Sequence, residues 1–326
     1  MALRDRIEVS PSLYRLITRV ALASLALIVF TGAAVRLTGS GLGCPDWPQC
    51  YGGVVAPAKT HAIIEYSNRV LSGFVGLAAI AAAVLGLFRK PYRRELEVLA
   101  VLLPLGVVAQ AVLGGFTVKS GLKPGFVMAH YVLSMLILDA AFALAWCASF
   151  ERGERPRAKD KLGVWSVRAL LPLGAMTVFV GTAATAAGPH AGAKGTGEIV
   201  PRLRIVGDDT LAWVVQRHAA LAVLFGLAAL VVLGIQLRPG SQRRAVKPLT
   251  CVIGLVAAQG VIGIGQWVLE LPSAIVWVHV VFAVITWLCV LWSVGSAGLL
   301  EGEFDSGDHN PAHDDRGVRS SDALKA

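Results

Sequence analysis

Three histidines stand near the beginnings of long apolar segments, where a polar side chain needs a reason to be: His130, His218 and His279. An imidazole inside a membrane is costly unless it is hydrogen-bonded or binds a metal, so each is a candidate functional residue. A single such histidine is more often a hydrogen-bonding group between helices. Two imidazoles at one depth can instead bind the iron of a planar haem from both sides. Zinc would require further nitrogen, sulfur or carboxylate ligands, and none recurs here.

These histidines belong to an internal repeat with an offset of 149–150 residues. The segment NRVLSGFVGLAA (68–79) aligns with HAALAVLFGLAA (218–229), and VAQAVLGG (108–115) aligns with AAQGVIGI (257–264). GAAVRLTG, from residue 32, likewise aligns with GTAATAAG, from residue 181. One offset serves three separate apolar segments, so chance similarity does not explain it.

The repeat also relates the polar residues to one another. A spacing of 20 residues from glutamine to histidine occurs once in each copy, from Gln110 to His130 and from Gln259 to His279. Asn68 stands in the first copy where His218 stands in the second. The second copy therefore offers two imidazoles, and the first offers one imidazole and one amide.

Eight apolar segments position these residues. The chain has 326 residues, of which 55% are hydrophobic and 16% charged, and a soluble domain does not have this composition. Each segment is close to the roughly 20 residues that a helix needs to cross a bilayer, and none alternates as a barrel strand would. We therefore expect an all-α polytopic membrane protein with eight transmembrane helices near 15–35, 64–88, 97–118, 126–149, 167–187, 211–237, 248–269 and 274–299. The first segment is not expected to be a cleaved signal peptide, because no small-residue cleavage site follows it.

Each copy of the repeat contains four of these segments. Because four is even, both copies enter the membrane from the same side, which predicts two four-helix bundles related by a pseudo-twofold axis along the membrane normal. The predicted division is an N-terminal half, a cytoplasmic linker, a C-terminal half and a disordered polar tail: 1–150, 151–166, 167–300 and 301–326.

The net charge of +9 follows the membrane topology. Alternate loops with their flanking turns hold eighteen lysines and arginines, whereas the opposite loops hold seven. By the positive-inside rule, both termini face the cytoplasm of a plasma membrane. This distribution argues against a nucleic-acid partner, and membrane lipid is the expected surrounding.

Two of the five cysteines lie in the first external loop, in the stretch GCPDWPQC. An oxidising compartment permits a disulfide between Cys44 and Cys50, and a metal clip is the alternative, although no second ligand pair lies nearby. The remaining cysteines fall within apolar segments, where they are typical small buried groups: Cys147, Cys251 and Cys289.

Taken together, these motifs resemble the haem A synthase family of membrane enzymes, which convert haem O to haem A. GAAVRLTGSGLGCPDWPQC is similar to the family's first helix end and external loop, and IEYSNRV resembles its Glu-x-x-His-Arg motif. GTAATAAGPHAG and QRHAALA are similar to its fifth and sixth helices, and the histidine of the eighth segment matches as well. The resemblance extends from about residue 15 to 299.

The resemblance implies a role for each matching residue. His218 and His279 match the ligands of a resident haem b in the C-terminal half, and His130 matches a ligand of the substrate haem O in the N-terminal half. Glu65 matches an acid that is essential for catalysis. The outer-loop cysteine pair of the family is matched by Cys44 and Cys50.

Asn68 departs from the family pattern, which has histidine there as a second ligand. Asparagine is a poor haem ligand. Two hypotheses follow: the substrate iron is five-coordinate on His130, or His61 substitutes from two helical turns away. The first is favoured because His61 is expected to lie in the loop.

Charged residues around these positions suggest further roles. Glu65 could accept protons or stabilise positive charge, and the alternative is an ion pair with Arg69 or Arg36. Arg69 and Arg217 could bind haem propionates, or could reach the lipid headgroups. Two roles stay open: Asp139 for a proton path or a buried hydrogen bond, and His190 for an external lid or loop structure.

The predicted function is an oxidoreductase that oxidises the C8 methyl of haem O to a formyl group by successive hydroxylations, for haem A supply to a terminal oxidase. The implied partners are haem O synthase and an electron donor, and a homo-oligomer is compatible with the sequence. A di-haem electron-transfer cytochrome is one alternative. A parallel-repeat transporter is another, although that class predicts matched polar breaks at mid-membrane rather than at helix ends.

Overall fold

The computed structural model describes residues 8–193 and 196–302. Several residues of the charge comparison, and most of the predicted polar tail, lie outside the described residues: Arg4, Arg6, Lys194 and 303–326. Two tail residues, Glu301 and Gly302, are described and form a turn.

The described chain is predominantly helical, which confirms the predicted all-α polytopic class. Its nine α-helices are α1 (Pro11–Leu37), α2 (Thr60–Gly86), α3 (Arg94–Lys119), α4 (Pro124–Ala148), α5 (Lys161–Arg168), α6 (Leu170–Ala187), α7 (Thr210–Gln236), α8 (Val246–Val268) and α9 (Ser273–Ala297). Eight spans are long and apolar enough to cross a membrane, the fifth of them formed by α5 and α6 together. The two short strands β1 (Arg157–Ala158) and β2 (Leu299–Leu300) pair in parallel.

Local sequence signals explain several helix ends. Ser10 caps α1, its Oγ accepting a hydrogen bond of 3.3 Å from the backbone N–H of Leu13, and Pro11 opens the helix. Asp160 caps α5 by accepting from the N–H of Gly163 at 3.0 Å. At the end of α9, Gly298 has a φ of 88°, a left-handed conformation that stops the helix. The chain turns there into β2.

The predicted segments differ from the helices mainly at their ends. The fifth span begins at Lys161, inside the predicted linker 151–166, because Asp160 starts a helix there. Val164 and Val167 of this first part are buried. The linker also contributes β1, so it is bound to the end of the chain's last helix through β2.

Two rings of four helices make up the core. In the first ring, α1 packs on α2, α2 on α3, α3 on α4, and α4 returns to α1; in the second, α6, α7, α8 and α9 pack in the same cyclic order. The rings meet through α1 with α9, α4 with α6, and α4 with α9. The repeat exchanges the α1–α9 contact with the α4–α6 contact, and the α4–α9 contact joins equivalent helices, as a twofold relation requires. The division of the chain into domains stays a prediction.

Two equivalent side-chain contacts illustrate the twofold relation between the halves. In the first ring, the hydroxyl of Tyr14 donates to the carbonyl of Ala82 at 3.1 Å and fills the space beside Gly86. In the second ring, Gln236 donates to the carbonyl of Gly163 at 2.8 Å. The long side chain and the glycine have exchanged helices between the copies.

The two faces of the molecule differ in composition. The disulfide face is the one with the loop of Cys44 and Cys50, and α2, α4, α7 and α9 begin there. The arginine-rich face is the opposite one, where Arg89 pairs with Glu151 at 2.7 Å and Arg238 pairs with Asp160 at 3.0 Å. Arg93 binds the carbonyl of Phe150 and the carboxylate of Glu95 there.

Candidate functional site

The polar positions of the repeat lie at matching points on their helices. Asn68 is eight residues after the start of α2, and His218 is eight residues after the start of α7. His130 and His279 are each six residues after the starts of α4 and α9. At 1.5 Å per residue, all four positions lie about 9–12 Å along the helix from the disulfide face.

His218 and His279 face each other in the second ring. Their ring centroids are 6.2 Å apart, and the ring planes are inclined at 71°. A metal bound between two imidazoles at about 2.0–2.1 Å would hold the ring centres about 6.4 Å apart, if each nitrogen lies about 1.2 Å from its ring centre. The separation therefore fits one iron with two axial nitrogens.

Hydrogen bonds orient both imidazoles. The Nδ1–H of His218 donates to the carbonyl of Thr177 at 3.0 Å. The amide of Gln259 donates to Nδ1 of His279 at 2.9 Å and to its backbone carbonyl at 3.1 Å, and its oxygen accepts from the N–H of Ala283 at 3.0 Å. A donating Nδ1–H, as in His218, fixes the imidazole and leaves the lone pair of Nε2 for a metal. While Gln259 donates to Nδ1, the neutral ring of His279 carries its proton on Nε2; metal binding at Nε2 requires the amide to turn, so that its oxygen accepts from Nδ1–H.

Glycines let the neighbouring helices approach the two imidazoles. A Cβ at Gly181 would lie 2.9 Å from Cε1 of His218, closer than side chains pack. A Cβ at Gly263 would lie 3.7 Å from Cε1 of His279. The second ring is thus closely packed around one imidazole and loosely packed around the other.

The first ring has the same frame with incomplete bonding. Gln110 donates to the carbonyl of His130 at 2.9 Å and to Oγ of Ser134 at 2.6 Å. Six buried side-chain atoms of the described residues have no hydrogen-bond partner, and three of them belong to this site: Asn68 Oδ1, Gln110 Oε1 and His130 Nδ1. Buried polar atoms are almost always paired, so three orphans at one end of one helix ring suit a site that receives a ligand.

Glu65 joins α2 to the disulfide loop. Its Oε2 accepts from the backbone N–H of Cys44 at 2.7 Å, and its Oε1 pairs with Arg69 at 2.6 Å. Arg69 also donates to loop carbonyls, the shortest of these bonds being 2.9 Å to Gln49. Of the alternatives for Glu65, the ion pair with Arg69 is present; Arg36 binds other groups. The donors of Arg69 are directed at the loop rather than at an open pocket.

The loop itself is closed by a disulfide between Cys44 and Cys50. The carboxylate of Asp46 accepts from the N–H groups of Gly52 and Tyr51, each at 2.7 Å. These bonds, that from Gly52 foremost, hold the pKa of Asp46 below its ordinary value. The loop therefore has its own internal bonding beyond the covalent link.

The expectation that His61 lies in the loop is wrong. Helix α2 begins at Thr60, so His61 is in its first turn, where its Nδ1 lies 2.9 Å from Oγ of Ser40. Lys59 precedes the helix in extended conformation. Seven residues of helix separate His61 from Asn68, a rise of about 10.5 Å, so the two side chains do not share one depth.

Loops from both halves meet on the disulfide face, at the ends of the two helix rings. Arg36 at the end of α1 donates to the carbonyls of His190 and Thr185, both at 3.0 Å. The ring of His190 lies with Nε2 2.7 Å from the carbonyl of Leu271, and Gly41 donates to the carbonyl of Gly192 at 2.6 Å. His190 therefore serves loop structure, linking three loops on the disulfide face.

Asp139 has a partner that lies far from it in the sequence. The indole of Trp287 in α9 donates to Oδ1 of Asp139 in α4 at 2.5 Å. Both residues line a cavity of about 290 Å³ where the two rings meet, with Tyr131, Met135, Met176 and Phe179. A hydrogen bond between the rings is thus the observed role of this carboxylate.

Arg217 lies on the surface of α7, next to His218 in sequence. Its guanidinium stacks on Trp213 at 4.3 Å and donates to the carbonyl of that residue at 3.2 Å. Unlike Arg69, it is not tied to a loop, and it keeps donors that a nearby anion could use.

The profile of the COX15-CtaA family, described as cytochrome oxidase assembly protein, matches residues 15–291. That range includes both rings and all four polar positions.

The chain belongs to the COX15-CtaA family.

Proteins named heme A synthase are among its similar relatives. One from Halalkalibacterium halodurans is 34% identical over 132 residues, covering 40% of this chain and 44% of the relative. Another, from Shewanella oneidensis, is 31% identical over 180 residues, covering 50% and 52%. A third, from Bacillus cereus, is 34% identical over 138 residues, covering 42% and 44%. The chain thus spans about half the length of the curated relatives it matches.

Membership of the COX15-CtaA family does not by itself reveal the residues that support the imidazoles. Gln110, Gln259 and Thr177 were not predicted as site residues, although the 20-residue spacing from glutamine to histidine was visible in both copies. That spacing is explained by the bonds from each glutamine to the backbone of its histidine. For Thr177 no signal was available, because only its backbone carbonyl is used.

Proposed function

We propose that this chain is a haem A synthase that oxidises the C8 methyl of haem O to a formyl group by successive hydroxylations and loss of water. The observation that carries the proposal is the contrast between the two rings. Imidazoles 6.2 Å apart suit a permanently bound haem, and the equivalent site with unpaired polar atoms suits a substrate that enters and leaves. Family membership and the names of the relatives support the same conclusion.

In the second ring, His218 and His279 would hold haem b, which supplies one-electron transfer when bound. The residues of the chain orient and pack the two imidazoles. Thr177 accepts from the Nδ1–H of His218, Gln259 would accept from that of His279 once its amide turns, and Gly181 gives His218 the space to lie against α6. This support is the arrangement expected around histidine ligands.

In the first ring, His130 would bind the iron of haem O, and Gln110 holds the backbone of that histidine. Glu65 is the proposed catalytic acid, one helical turn before Asn68. Its carboxylate is fixed by Arg69 and by the N–H of Cys44, so the disulfide loop is part of the site's support. Arg217 is the better candidate for a propionate, because the donors of Arg69 are engaged in the loop.

The membrane arrangement follows from the same proposal. The arginine-rich face would lie in the cytoplasm and the disulfide face outside a bacterial plasma membrane, in agreement with the charge bias and the disulfide. Haem O would arrive from haem O synthase, and an electron donor would reduce the protein. A homo-oligomer is compatible with this arrangement.

The test is pigment analysis of the purified protein from a host that supplies haem O. The account expects haem A or its hydroxylated precursor in the extract, together with haem b. In the His130→Ala variant it expects haem b alone. Unaltered haem O beside stoichiometric haem b would support a di-haem cytochrome instead. Absence of all haem would support a transporter.

A further inference from the structure

The second ring is an internal reference for the first, because the same helix positions carry comparable residues. His130 corresponds to His279, Gln110 to Gln259, and Gly114 to Gly263; in both copies the glutamine donates to the backbone carbonyl of the histidine and the glycine lies beside its Cε1. A Cβ at Gly114 would lie 3.4 Å from Cε1 of His130, as one at Gly263 would lie 3.7 Å from Cε1 of His279. The half of each site around α4 or α9 is thus conserved between the copies.

The other half of each site, around α1 and α2 or around α6 and α7, differs between the copies. In the second ring, the imidazole of His218 fills the space against Gly181 of α6. In the first ring, the equivalent glycine is Gly32 of α1, and no heavy atom of the described residues lies within 4 Å of where its Cβ would be. Asn68 is shorter than histidine, so the space that the ring of His218 occupies stays open beside Gly32.

Asn68 also has bonding capacity that the described residues do not use. Its Oδ1 is buried and has no partner among them, whereas the Nδ1 of His218 is bound by a backbone carbonyl at 3.0 Å. An amide offers an acceptor and two N–H donors in one group. A group of this kind can accept a hydrogen bond from water and donate one to a bound oxygen or nitrogen atom.

We propose that Asn68 forms one wall of an open position in the N-terminal site, where a haem iron held by His130 would bind a small ligand. The ligand class is a water molecule, a diatomic gas or a small anion such as azide, held by the amide of Asn68. The inference rests on the proposed function, because it requires a haem on His130. His61 does not close the position, since it lies about 10.5 Å nearer the start of α2 and contacts Ser40.

The two haems should therefore respond differently to added ligands. A haem held by both His218 and His279 would have no free position at its iron and should not bind azide or carbon monoxide. The N-terminal haem should bind azide when ferric and carbon monoxide when ferrous. The His130→Ala variant assigns the signal, because it should lose the ligand-binding haem and keep the other.

The test titrates the purified protein, loaded with haem O, with sodium azide and follows the absorbance and electron spin resonance spectra. Asn68→His should close the position and abolish azide and carbon monoxide binding. The N-terminal haem should then become low-spin, as expected for the C-terminal haem. Asn68→Ala keeps the space but removes the hydrogen bonds, so azide should still bind, about tenfold more weakly, a loss of about 1.4 kcal/mol.

Three outcomes would overturn the inference: no azide or carbon monoxide binding by either haem of the wild type, unchanged binding in Asn68→His, or unchanged affinity in Asn68→Ala. The failure of the proposed function looks different. If the purified protein holds no haem O or haem A that depends on His130, both the function and this inference fail. If haem A is made but no ligand binds, only the role of Asn68 is wrong.

Discussion

Among single residues, Glu65 has a double structural role, because its carboxylate binds both a side chain of its own helix and the backbone of the disulfide loop. It is only 6% exposed and binds the N–H of Cys44 with one oxygen and Arg69 with the other. A buried charge of this kind needs both partners. The acid implied by the family resemblance is therefore also an anchor for the disulfide loop.

Replacing Glu65 separates the two roles. Glu65→Ala leaves the N–H of Cys44 and the guanidinium of Arg69 without their acceptor, so we expect a loss of about 1–3 kcal/mol in unfolding free energy and no haem A. Glu65→Gln keeps an acceptor for Cys44 and should recover much of the stability but not the activity. Thermal unfolding and haem extraction measure both, with the C-terminal haem spectrum as the control for folding. Full activity of Glu65→Gln would remove Glu65 from catalysis.

A contact between two residues could be predicted from the sequence where the repeat or the helix period relates their positions. The pairing of Glu65 with Arg69 follows from four-residue spacing, and the matched histidines follow from the repeat. The bond to Cys44 could not be foreseen, because it uses a backbone group whose position depends on the loop. The partner of Asp139 is Trp287, 148 residues away on a helix of the other ring. Sequence spacing carries no information about such a contact.

At the scale of elements, the distance between α6 and α7 is set by a glycine at the imidazole. The helices approach closely because Gly181 lies against His218, whereas the equivalent Gly32 faces open space. The two glycines are a matched pair within one chain. Their substitution by alanine therefore tests the packing of one site against that of the other.

We expect Gly181→Ala to disturb His218, because the added methyl would lie 2.9 Å from Cε1 of that ring. Overpacking of this kind costs about 1–3 kcal/mol, and the content of C-terminal haem should fall. Gly32→Ala should leave that haem unchanged. Haem per protein and the low-spin absorbance measure both variants. Equal behaviour of the two variants would contradict the difference in packing.

Hydrophobic segments located every membrane span but not every helix boundary. Helix α2 begins four residues before the predicted 64, and this moved His61 from a loop into a helix. The fifth span begins at Lys161 because Asp160 caps a short amphipathic helix that a search for apolar runs does not detect. Capping residues and loop contacts, rather than hydrophobicity, decide these ends.

For the whole molecule, the loops join the rings at one face and a hydrogen bond joins them within the membrane. Arg36 and His190 connect α1 to the loops of the second half, and Asp139 pairs with Trp287 between α4 and α9. The parallel repeat was predictable from the 149–150-residue offset and the even number of spans. The choice of α1, α4, α6 and α9 as the helices between the rings was not, since many apolar faces of the spans are similar.

The central claim is that one copy of the duplicated unit holds a permanent haem between two imidazoles and the other receives the substrate. The most direct measurement compares His279→Ala with His130→Ala, equivalent histidines of the two copies, by haem content and low-spin absorbance of the purified proteins. The account predicts that His279→Ala loses the resident haem b and that His130→Ala retains it. Retention of haem b in His279→Ala, with its loss in His130→Ala, would contradict the account.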